Sequence, residues 1–141
     1  MRRTPLHRPA PRVVEDPPAA TGDRDLTPAE QAVVRRLVEV VPGGAGGLAD
    51  QLDGIRVRDA VGWVDGRPAH SVVALEHWGR WSAVTLPVRG FSVDAAGAPV
   101  GEIVVWAHEG RLVGFRHQAV VADRLPPALQ PDTVDAVPWP A

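Results

Sequence analysis

Acid-base chemistry near neutral pH needs histidine and carboxylates, and five histidines occur here: His7, His70, His77, His108 and His117. None stands two or four residues from another, so no paired ligands of the HxH or HxxxH type exist, and neither an HExxH helix nor a calcium-binding loop is present. Glu102 and His117 form the best candidate acid/base pair, because a two-residue turn through Glu109 and Gly110 in "AHEGRL" would set them opposite each other on adjacent strands. The same turn would pair Trp106 with Val113 and Val104 with Phe115. An ordinary cross-strand ion pair is the simpler reading of Glu102 and His117. Ser82 would face His77 across another turn, but no carboxylate on that face orients the imidazole and no GxSxG elbow occurs. "GAGGLA", residues 44–49, satisfies a GxGxxA dinucleotide pattern, yet a capped helix precedes it where a strand is required, and about six residues follow where a crossover helix is required.

A second constellation is suited to binding. In "LEHWGRW", residues 75–81, two of the five tryptophans flank a Gly-Arg pair. Glycine in first place suits a type II′ hairpin loop, in which Gly79 takes a positive φ and Trp78 faces Trp81. Continuing the ladder would pair Leu75 with Val84 and Val73 with Leu86. Such an aromatic pair stabilises a hairpin by itself. Trp78, Arg80 and Trp81 are also the residue types that dominate interface hot spots, so they are the candidate binding residues.

These groups need elements to hold them. "LTPAEQAVVRRLVEVV" predicts a helix over residues 28–41: Thr27 caps it, Pro28 suits its first position, and Glu30 completes a capping box. Val33, Val34, Leu37, Val38 and Val41 recur at three- and four-residue intervals and give one apolar stripe. After "GLADQLDG" the period changes, and strands are expected over residues 55–61, 70–78, 81–88, 100–108 and 111–121. Both faces are apolar around the Glu109-Gly110 turn, which places that hairpin centrally.

All 15 basic residues are arginine and no cysteine occurs. Lysine, asparagine and tyrosine are also missing, which points to a GC-rich coding sequence and weakens any functional reading of the arginines. Residues 26–125 carry 10 arginines against 11 carboxylates. That near-neutral balance argues against nucleic acid as a partner. Disulfides, thiolate zinc sites and cysteine nucleophiles are excluded. No apolar run resembles a signal-peptide core or approaches the ~20 residues that cross a bilayer, so a soluble cytoplasmic protein without membrane contact is expected. Residues 1–25 hold five prolines, five arginines and four carboxylates. They read as a disordered arm.

The order of motifs "LTPAEQAVVRRLV", "LADQLDGIRV", "PAHSVVALE", "DAAGAPVGEIVVWAHEGRLVGF" and "LPPALQPDTV" resembles a family of small actinobacterial α+β proteins. The likeness covers roughly residues 26–134 and implies no activity. Relatives carry a Cys-Gly-Cys turn before the second strand where this chain has "DGRPAH", so no cysteine role carries over.

Together these readings give an α+β fold: an antiparallel meander sheet of five or six strands with one N-terminal helix packed on one face. One domain spans residues 26–125, between the arm and a proline-rich tail over residues 126–141. The expected function is non-enzymatic binding of a protein partner, or self-association as a homodimer, without a cofactor. The alternative is a small enzyme or ligand-binding protein with a pocket between helix and sheet, using Glu102 and His117.

Overall fold

The structure is a computed structural model and describes residues 22–79, 83–120 and 128–139. Thr27 begins the helix as expected: its side-chain oxygen accepts from the Glu30 amide at 3.1 Å, and Glu30 Oε1 accepts from the Thr27 amide at 2.9 Å. The helix, α1 (Pro28–Val40), buries Val33, Val34, Leu37 and Val38. Pro42, together with Gly43 and Gly44 at positive φ, then turns the chain away. A single 3₁₀ turn, Ala49–Gln51, leads into the sheet.

Eight antiparallel strands follow the meander pattern only in part. In chain order they are β1 (Arg24–Asp25), β2 (Arg56–Val64), β3 (Arg67–Ala74), β4 (Val84–Thr85), β5 (Val88–Val93), β6 (Pro99–His108), β7 (Arg111–Ala119) and β8 (Val134–Pro138). Across the sheet the order is β1-β2-β3-β7-β6-β5-β8, with β4 paired to β6. The α+β class and the helix on one face therefore stand, but eight strands replace the five or six expected. The additions are β1, the six-residue β5, which begins where the strand expected over residues 81–88 was to end, and the strand drawn from the proline-rich tail. The sheet thus takes in Arg24–Asp25 and Val134–Pro138, on either side of residues 26–125.

Two tight turns set the frame. Asp65 and Gly66 have φ of 53° and 77°, and Glu109 and Gly110 have φ of 50° and 78°. Positive φ at both central residues gives type I′ turns, whose twist matches that of the flanking strands. The β6-β7 hairpin occupies the centre of the sheet, and every residue of β7 after Arg111 is buried.

The ladder expected to pair Leu75 with Val84 and Val73 with Leu86 does not form. Strand β3 ends at Ala74, a 3₁₀ turn occupies Leu75–His77, and Val84–Thr85 pairs with Trp106 and Ala107 of β6. A strand has only two edges. Those of β3 are taken by β2 and β7, with Val73 opposite both Arg58 and Gly114, so no edge is left for residues 83–86.

Two apolar clusters result. On the helix side, the α1 stripe packs with Val57, Val72, Phe115, Ile103, Val105, Val88 and Val134. Leu37 lies so close over β5 that a Cβ at Gly90 would come within 3.1 Å of its Cδ1. On the face turned away from the helix, Val73, Val104, Trp106 and Val113 are buried too and pack with Ala83 and Trp78.

Candidate functional site

One irregularity decides the fate of the Glu102 and His117 pair. The Glu109-Gly110 turn pairs His108 with Arg111 and Ala107 with Leu112, in line with the sequence. A bulge then shifts the register, and Trp106 pairs with Gly114, Val105 with Phe115, Ile103 with His117 and Glu102 with Gln118. A slip of one residue moves a side chain to the other face of a sheet. Glu102 accordingly lies on the face turned away from the helix and accepts a hydrogen bond from Arg89 Nε at 2.6 Å. His117 lies on the helix side, where its Nε2 meets Ser92 Oγ at 2.9 Å. The two are not an acid/base pair.

The three binding candidates divide differently. Trp78 is half-buried against the second apolar cluster, with the Arg58 guanidinium 5.1 Å from its ring centroid. Arg58 is itself held by Asp23 at 2.9 Å. Arg80 and Trp81 lie outside the described residues, as does Ser82. His77 sits in the 3₁₀ turn with its ring 6.3 Å from that of His108, edge to face. The glycine-rich stretch at residues 44–49 is a turn entering a 3₁₀ segment, with α1 and not a strand directly before it.

Arginines over aromatic rings recur across the face turned away from the helix. Besides Arg58 over Trp78, Arg116 lies 5.8 Å from the centroid of Trp106. Arg89 lies between two rings, 4.6 Å from Trp139 and 5.3 Å from Phe91. Each stack is a cation-π contact, and Glu102 holds the Arg89 guanidinium in place. Strand pairing sets Val137 opposite Arg89 and Asp135 opposite Phe91, and Val137 is 39% exposed. Trp139 is anchored by its amide, which donates to Pro87 O at 3.0 Å. Arg89, Phe91, Val137 and Trp139 were not singled out from the sequence. The signal was present in the alternation of "VRGFSV" and in a tryptophan two residues after "DAV", but proline-rich flanks masked the tail as a strand.

A polar row crosses the helix side. Arg24 bridges Glu30 and Asp59, with bonds of 2.8 Å to each Glu30 oxygen and of 2.7 and 2.8 Å to Asp59. Asp59 Oδ1 also meets His70 Nε2 at 2.7 Å. The Arg24 bonds hold the Asp59 carboxyl below the usual carboxylate range, and the His70 bond adds to this. His70 is the cross-strand neighbour of His117. Burial pushes the His117 imidazole down to about 4, and the nearby His70 adds a smaller contribution in the same direction. Beyond it the row passes over Gly101, where a Cβ would overlap His117 Nε2 and come within 2.6 Å of Ser92 Oγ. Ser92 is only 3% exposed, so the row ties elements together and offers no accessible nucleophile.

No family model, curated protein or solved structure matches the chain. Among the described residues no helix is long and apolar enough to cross a membrane, and no three histidines or carboxylates come together as metal ligands.

Proposed function

We propose that the chain is a non-enzymatic binding module that docks a protein partner, or a second copy of itself, at the β5-β8 end of the sheet face turned away from the helix. One observation carries this reading: Arg89 is fixed by Glu102 between the rings of Phe91 and Trp139, beside exposed Val137. Tryptophan and arginine with restrained side chains are the usual anchors of protein interfaces. Trp78, Arg80 and Trp81 belong to the same reading as its second contact region. Neither nucleic acid nor membrane is part of it. A cytoplasmic setting belongs to the proposal too, supported by the cysteine-free sequence. So does kinship with the small actinobacterial α+β family, which rests on the capped helix and hairpin motifs.

The test compares the wild type with Trp139→Ala and Trp78→Ala. Sedimentation velocity reads self-association, and cross-linking in the native cell reads a foreign partner. One association is expected to weaken by about tenfold or more in Trp139→Ala, a loss of roughly 1.4 kcal/mol, while the melting temperature stays near that of the wild type. The reading fails if the wild type is monomeric up to about 1 mM and cross-links to nothing, or if both variants associate like the wild type.

A further inference from the structure

At the end of the sheet where β2 begins, β3 ends and β7 begins, an open pocket of about 500 Å³ lies between the strands and the Ala49–Gln51 turn. That volume is within the range of small-molecule sites, roughly 300–1,000 Å³. Ile55, Ala74, Leu75 and Leu112 give it an apolar lining, and charged groups from Asp53, Arg56, Glu76 and Arg111 complete the wall. Its shape is held by Gln51, whose amide donates to Gly110 O at 2.7 Å and accepts from the Leu112 amide at 2.8 Å. The 3₁₀ turn is thereby pinned to the β6-β7 turn.

The wall carries two guanidiniums and two carboxylates, and their bonds leave specific groups available. Arg111 uses Nε and Nη2 on Glu76, at 3.0 and 2.8 Å, which leaves Nη1 uncommitted. These bonds keep the Glu76 carboxyl below its usual range, so it remains charged at neutral pH. Arg56 spends Nη1 on Asp25 and Nη2 on Asp23 O, which leaves Nε. Asp53 has no hydrogen bond or ion pair among the described residues. Arg111 neutralises Glu76 and Asp25 neutralises Arg56, so Asp53 carries the unpaired charge of the wall, which repels a ligand of negative charge alone and draws an ammonium. An apolar body bearing both an ammonium and a carboxylate meets the lining, the Asp53 carboxylate and the spare guanidinium N–H groups.

We propose that this pocket binds a short apolar peptide with free termini, its ammonium on Asp53 and its carboxylate on the spare N–H groups of Arg111 and Arg56. The site is separate from the surface around Arg89 and Trp139 and does not depend on it. The experiment titrates the full chain with L-leucyl-L-leucine by calorimetry and by amide chemical shifts, with N-acetyl-leucyl-leucine amide as the uncharged control. Expected are shifts at Gly54, Arg56 and Leu112, a loss of affinity of about tenfold or more when both termini are blocked, and a similar loss in Asp53→Asn. Asp53 is exposed and unbonded, so this variant should fold like the wild type, and Trp139→Ala should bind the dipeptide unchanged. Absence of shifts, shifts confined to other regions, or equal binding of the blocked peptide or by Asp53→Asn would each overturn the proposal.

Discussion

His117 is sealed beside another histidine, with the Ser92 hydroxyl as its partner, and this gives stability a definite dependence on pH. In the unfolded chain its imidazole takes up a proton near pH 6.5, whereas in the folded chain it does so only near 4. Between those values the unfolded state binds the extra proton, so stability is complete above the window and falls as pH drops through it. The loss is about 3 kcal/mol over the window, at 1.36 kcal/mol for each unit of displacement. Asp59 acts lower: its carboxyl is depressed, so its contribution is present above its ordinary value of 3.8 and is lost on further acidification. Urea midpoints measured from pH 7 downward should therefore decline between 6.5 and 4 in the wild type and stay nearly level there in His117→Gln. An identical decline in both proteins would show that some other group is responsible. His117 was picked from the sequence as the cross-strand partner of Glu102. Its partner was misassigned because a bulge between two apolar faces leaves no trace in the alternation of residues, and Gly101 became meaningful only once the imidazole was seen to pass over it.

Helix α1 shows the opposite case, in which local sequence carries nearly everything. Thr27, Pro28 and Glu30 act within one turn of chain, and the helix ends at Val40, one residue short of expectation. Thr27→Ala should cost about 1 kcal/mol, read as a shift in the denaturation midpoint at unchanged slope. A change below about 0.3 kcal/mol would mean that Glu30, held independently by Arg24, is sufficient as a cap. The Glu109-Gly110 turn was legible for the same local reason. The pairing around Gly79 was not, because alternation in residues 70–78 shows that a strand wants neighbours without showing which ones. A distant strand, β7, took the edge that the next segment in the chain was expected to fill.

At the scale of the whole molecule, the least legible element is β8. Its composition is that of a tail, yet it pairs with β5 over five positions and contributes Val134, 1% exposed, to the main core. Arg36 of α1 also reaches back to Pro131 O at 3.2 Å. Deleting residues 131–141 would uncover one edge of β5 and remove a core valine together with Trp139. The shortened chain should unfold at a much lower temperature, with a loss of roughly 2–5 kcal/mol by analogy with large core truncations, and should gain a tendency to aggregate through the bared edge. A melting temperature within a degree or two of the full chain would show that β8 only decorates the sheet. The order of the strands has a further consequence, for the newborn polypeptide. β3 lies between β2, translated just before it, and β7, translated last of the central four. While β7 is still inside the ribosome, Val72 and Val73 have no second neighbour, so closure of the middle of the sheet waits for distant residues and sets the pace of folding.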